Sequence, residues 1–194
     1  MKQLAEKRND LREKTKKTAA CAILSALAVT LLFVGGIIEI LDMTASAIAS
    51  AVIIVAYAEF GTKRALAVYA ASSVLAFILF PMSGSVLYFA VVFGYYPVFK
   101  FAVDRKFRTK KLIRMLLKFA VFNAACTATI LIFIKLYGIN SLVAEFSGTG
   151  LSAHAVILIL YVVLNIFFLM YDLLIMYVAV IYKNVLRKRI FPKK

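Results

Sequence analysis

Charge is scarce in this 194-residue chain, where Asp, Glu, Lys and Arg together make up 17%, against about 25% in soluble globular domains. The apolar share is 64%, well above the roughly 45–50% of such domains. A water-soluble fold of this size has no interior able to hide so much apolar surface. A disordered chain needs the opposite balance. Both classes are excluded, which leaves an all-α integral membrane protein of one domain, 1–194. Other shortages narrow the chemistry. There is a single histidine, His154, so neither an HExxH metal motif nor a Ser/His/Asp set is available. No glycine-rich loop ending in GK[ST] occurs, so the chain has no means of hydrolysing ATP by itself. The two cysteines, Cys21 and Cys126, stand 105 residues apart inside apolar stretches, and they offer neither a disulfide framework nor a zinc site. No enzyme activity, cofactor or metal is expected. The basic start runs straight into a full-length apolar span, which argues against a cleavable signal peptide.

What the chain has in quantity is long apolar runs. About 20 apolar residues cross about 30 Å of hydrocarbon as a helix. By that measure six spans are expected, at about 18–38, 43–58, 65–80, 85–103, 119–137 and 155–182, with Pro81 stopping the third. Segments 1–17 and 183–194 form basic tails. Of 24 Lys and Arg residues, 23 fall at one side of this arrangement, Lys135 being the exception. The opposite loops carry Glu39, Asp42 and Glu145. The pattern is positive-inside, so both termini are expected in the cytoplasm of a cell-membrane protein. The net charge of +15 then reads as a topology signal rather than as nucleic-acid binding. It also makes anionic lipid at the inner leaflet a natural partner. Between the fourth and fifth spans, Arg105–Lys118 reads either as an amphipathic helix lying on the membrane surface or as a snorkelling start to span five. In the first case Lys111, Arg114 and Lys118 share one face, and Leu112, Met115, Leu116 and Phe119 cover the other. Glu59 and Lys63, four residues apart, suggest a local ion pair.

Two patterns inside the spans suggest function. Helices in lipid approach one another closely where side chains are small. Span one carries Thr18, Ala22, Ala26 and Thr30 at four-residue spacing, and span two carries pairs such as Ala45/Ala49 and Ser46/Ser50. Such ridges serve either internal packing or contact with another membrane protein. In span six, His154, Tyr161, Asn165 and Asp172 are separated by 7, 4 and 7 residues, which places them within about 40° on a helix. Buried polar groups in a span need a reason. The stripe serves either interhelical hydrogen bonds or the wall of a solute pocket. Asn123 and Thr127 on span five, Tyr88, Tyr95 and Tyr96 on span four, and Glu39 and Asp42 at the end of span one are available to complete such a pocket. FGYYPVFK, Phe93 to Lys100, is distinctive but suggests no role by itself.

Length, six spans and a basic start running into the small-residue helix KKTAACAILSALAV together resemble the substrate-binding S component of energy-coupling-factor vitamin transporters. The resemblance covers the chain as architecture. It implies capture of a small molecule from outside, with Glu39, Asp42, Tyr88, Thr127, His154, Tyr161, Asn165 and Asp172 as candidate substrate-binding residues. It also implies docking through Ala22-x-x-x-Ala26 and Thr30 to a membrane coupling subunit that sits on two ATPase subunits. The missing ATPase motif suits that division of labour. The alternative is a non-transporting scaffold, similar to the small rod-shape-determining membrane protein of cell-wall synthesis. The polar stripe would then be structural and the basic rim a contact surface.

Overall fold

The computed structural model describes residues 1–81, 83–137 and 153–187. Every regular element among them is helical. Six stretches are long and apolar enough to cross a membrane, which makes this a multi-pass membrane protein. The chain divides into two compact units, one of residues 1–99 with the chain from Ala179 onward, the other of Lys100–Val178.

In the first unit, α1 (Lys2–Ile37) is a single helix of 36 residues. At 1.5 Å per residue it is about 54 Å long, where about 30 Å of hydrocarbon must be crossed. The surplus is the basic stretch, which continues the helix rather than preceding it. Its residues are good helix formers, tied by i,i+4 ion pairs between Asp10 and Lys14 at 2.6 Å and between Glu13 and Lys17. A short 3-10 turn (Glu39–Leu41) leads into α2 (Asp42–Phe60). Gly61 separates α2 from α3 (Thr62–Leu79) with φ +80°, a conformation that strains any residue with a Cβ. The break removes the helical register between Glu59 and Lys63, and the expected local ion pair does not form. Glu59 instead meets Arg187 Nε at 3.2 Å and accepts a hydrogen bond of 3.1 Å from the buried Tyr182 hydroxyl.

The α1, α2 and α3 helices pack around Leu32, Ile53, Val68 and Phe89, all essentially inaccessible. The short helix α4 (Gly84–Tyr88) closes the unit. Without a solvent-driven force between helices, hydroxyl groups and small side chains do much of the joining. Ser46 Oγ donates to the main-chain oxygen of Ser85 at 2.7 Å, and Ser85 Oγ donates to that of Leu32 at 2.8 Å. Ser46, Ala49 and Ser50 are buried, so the small-residue edge of the second span is internal packing. Gly35 lies against the Ala45 side chain, with no room for a Cβ between them. Gly35→Ala should therefore cost about 1–3 kcal/mol through overpacking. Ile37→Ala, at a position 65% exposed, should stay within about 0.5 kcal/mol. Thermal unfolding of the purified proteins measures the difference, and equal melting temperatures would refute it.

FGYYPVFK acquires a structural role. After α4 the backbone runs through a π-turn (Phe89–Phe93), closed by the Gly94 amide donating to Phe89 O at 2.7 Å. Tyr69 braces this turn, its hydroxyl donating to Ala90 O at 2.6 Å. Its ring occupies the space that a Cβ on residue 94 would need, which explains glycine there. The chain then restarts as α5 (Tyr96–Lys106), with Pro97 in the first turn, where a missing amide hydrogen costs little.

In the second unit, α6 (Lys111–Tyr137) and α7 (Ala153–Ile181) are the long elements. Arg105–Lys118 is not one surface-lying helix. It breaks between Lys106 and Lys111, and residues 111–118 are the first two turns of α6. Their apolar side faces away from the rest of the described chain, as a lipid-facing side does, while the last of their cations turns inward. Lys118 is only 8% exposed, whereas Leu112, Met115 and Leu116 are 74%, 56% and 61% exposed. The cause is an acidic partner on α5, described below.

Candidate functional site

Four layers of contact join α6 to α7 in antiparallel register. At one end the Thr127 and Tyr161 hydroxyls are 2.6 Å apart. One turn along, Asn123 and Asn165 form a reciprocal amide pair, with N···O distances of 3.0 and 3.1 Å. Phe168 follows, stacked on Phe122 at 4.3 Å between centroids and edge-on to Phe119 at 5.1 Å. Lys118 and Asp172 close the ladder at 3.6 Å. The regular spacing of 123 and 127 against 161 and 165 is the i,i+4 repeat of two helices facing each other. Each amide also bonds the carbonyl four residues before it, Asn123 to Phe119 O at 2.9 Å and Asn165 to Tyr161 O at 2.8 Å. The stripe on α7 is thus real as a face, and its central members are satisfied by α6.

Beside this ladder one face of α7 borders an open, shallow groove of about 690 Å³, lined by that helix alone through Ile157, Leu158, Tyr161, Val162, Asn165, Ile166 and Leu169. It is almost wholly apolar, with Tyr161 and Asn165 supplying the polar groups.

The deep carboxylate has partners that the spacing of residues did not reveal. Asp172 Oδ1 lies 2.6 Å from Lys100 Nζ, and the same ammonium donates to the main-chain oxygen of Asp172 at 2.6 Å. Lys118 Nζ stands between two acids, 2.8 Å from Asp104 Oδ1 and 3.6 Å from Asp172 Oδ1. Arg114 Nε reaches Asp104 Oδ1 at 3.4 Å. Five charges therefore alternate in sign along a chain from Lys100, 1% exposed, to Arg114, whose side chain is 30% exposed. A cation stands at each end. Lys100 and Lys118, counted from sequence among the cations of the basic side, are buried members of this chain. The lone signal available was Asp104, an acid four residues after Lys100 inside an otherwise basic segment.

The remaining candidates fall elsewhere. Asp42 opens α2, close to Gly84, and Tyr88 lies one turn beyond that glycine. Both belong to the first unit, whereas Thr127, Tyr161, Asn165 and Asp172 belong to the second. The side chains of Glu39 and His154, and the loop residue Glu145, lie outside the described residues. Among the described residues no three His, Cys, Asp or Glu side chains come together as metal ligands. On α1, Thr18, Ala22, Ala26 and Thr30 are all exposed, while Ser25, Ala28, Val29 and Leu32 turn inward. The two small-residue patterns therefore have opposite fates, inward on α2 and outward on α1. Comparison with protein-family models, with curated proteins and with solved structures produced no match.

Proposed function

We propose that the chain is the solute-capturing membrane subunit of an uptake system, similar to the S components of vitamin transporters, whose ATP hydrolysis resides in separate subunits. Both termini face the cytoplasm in this reading, and the basic ends of the helices meet anionic lipid there. The observation that carries it is the groove on α7. Its volume lies within the 300–1,000 Å³ of small-molecule sites, and it pairs an apolar wall with a few polar groups, here Tyr161 and Asn165. The outward ridge of Ala22, Ala26 and Thr30 is the docking face for a coupling subunit. A vitamin or related micronutrient with a sizeable apolar body suits such a wall.

One observation favours the scaffold reading instead. The Asn123–Asn165 and Thr127–Tyr161 contacts already satisfy the polar groups of the stripe, as pure packing requires. The two readings part on a pair of variants. Asn165→Leu strands Asn123, so it should cost about 0.6–1.7 kcal/mol of stability under either reading. Asn123→Leu/Asn165→Leu removes both amides and should regain most of that loss. The test is ligand-induced thermal stabilisation of the purified protein over a panel of vitamins and nucleobases. If Asn165 contacts the solute, the ligand found with the unmodified protein should bind the double variant more than tenfold less tightly, a difference of about 1.4 kcal/mol. Unchanged affinity in the restored double variant would remove Asn165 from the site. Absence of any stabilising ligand would favour the scaffold.

A further inference from the structure

The charge chain ends in a cation, and its surroundings are lopsided. Eight basic residues lie between positions 100 and 118, against Asp104 in the same stretch and Asp172 from α7. Most of the surplus sits on the turn 107–110 and the first turns of α6. Lys110 and Lys111 are exposed, Arg114 is half-buried and Lys118 is buried. Among the described residues the Arg114 guanidinium meets only Asp104, and through Nε alone. Its two terminal NH2 groups, the part of the fork that grips a phosphate in bidentate fashion, are not engaged there. Arg108, Lys110 and Lys111 join no ion pair among the described residues. Immediately beside these cations, on the same two turns, stand the exposed apolar side chains of Leu112, Met115 and Leu116.

That juxtaposition selects its ligand. A free anion needs only the cations, and an acidic protein segment has no use for apolar side chains at the start of a membrane-crossing helix. A phospholipid supplies both complements, a phosphodiester for Arg114 and Lys111 and an acyl chain for Leu112, Met115 and Leu116. We propose that the α5–α6 turn and the first two turns of α6 form a site for the headgroup of an anionic phospholipid, with Arg114 and Lys111 holding the phosphate. The buried chain behind Arg114 acts as a positioning device. Asp104, shared with Lys118, holds Nε and leaves the outer edge of the fork toward the headgroup. The site localises to one place the general lipid attraction read from the charge pattern. It requires that the protein spans a membrane, and it does not depend on solute capture.

The test uses full-length protein purified in a neutral detergent, with thermal unfolding followed as lipid is added. Phosphatidylglycerol should raise the melting temperature saturably, phosphatidylcholine should not, and inorganic phosphate at the same concentration should not. Arg114→Gln and, separately, Lys111→Gln should each weaken the phosphatidylglycerol effect at least tenfold in midpoint concentration. Lys111 makes no contact with the buried chain among the described residues, so its variant keeps the test valid if Arg114→Gln folds poorly. Lys63→Gln/Arg64→Gln, in the other basic turn, should bind as the unmodified protein does. Equal stabilisation by phosphatidylcholine would overturn the proposal, as would equal stabilisation by inorganic phosphate. A loss in the Lys63/Arg64 variant as large as in the Lys111 variant would mean a diffuse field and no site. Solute-induced stabilisation, measured on the same variants, should be unaffected, so failure here leaves the uptake reading standing.

Discussion

Asp172→Asn should be among the most damaging single substitutions in the protein, costing about 3–5 kcal/mol of stability, the range for breaking a buried ion pair from one side. The reason is asymmetry within the chain of charges. Lys100 is 1% exposed, and its ammonium has the Asp172 carboxylate at 2.6 Å. Exchanging that carboxylate for an amide leaves the ammonium with neutral oxygens, the side-chain amide and the main-chain oxygen of the same residue, dipoles in place of a charge. Lys100→Met should cost less. Asp172 then keeps Lys118, whose Nζ lies 3.6 Å away, although Asp104 at 2.8 Å competes for it. The double variant Lys100→Met/Asp172→Asn removes both charges and leaves the Lys118–Asp104–Arg114 set intact, so it should recover most of the loss. Unfolding of the four proteins forms a double-mutant cycle. A double variant as unstable as the sum of the singles would mean that the pair is not coupled, and that Asp172 is stabilised by something other than Lys100.

That pair also shows what a sequence of this kind reveals and what it conceals. The six crossing segments were legible because hydrocarbon thickness imposes a length that 17% charge cannot blur. The face shared by Tyr161, Asn165 and Asp172 was legible because a helix has a known period. Its partners Asn123 and Thr127 carried the matching four-residue step, yet nothing in one sequence joins two such faces, and the amide pair had to be seen. Lys100 and Lys118 were concealed by the very rule that orients the protein. Counting cations by side treats every lysine as solvated, and the counterion of Lys100 lies 72 residues away. The Glu59–Lys63 pair failed for a local reason, a helix register interrupted by Gly61 at φ +80°. Residues 111–118 show the same limit from another direction. Their amphipathic pattern was plain, but which face turns inward depended on Asp104, on a different helix. Spacing alone likewise left the two small-residue ridges equivalent, and burial separates them.

If the chain docks to a coupling subunit as proposed, Ala26→Trp should leave the protein folded and abolish that docking. Ala26 and Ala28 are two residues apart on α1 and chemically identical, but Ala26 is exposed and Ala28 is 0% exposed. A tryptophan at 28 has no open space to occupy, since Ala28 is fully buried, so Ala28→Trp should destabilise by several kcal/mol or fail to fold. Position 26 is exposed among the described residues, so there stability should change by no more than about 0.5 kcal/mol. If the ridge of Ala22, Ala26 and Thr30 is where a coupling subunit lays its own helix, the added ring holds the two backbones apart. Contacts through small residues depend on that close approach. Co-purification with the membrane partner, and uptake by cells carrying the variant, should then fall to background while solute binding by the isolated protein persists. Two results would sink this reading. An unstable Ala26→Trp protein would mean that the ridge is packed against something in the folded chain. A stable one with full uptake would mean that the partner, if there is one, docks on another face.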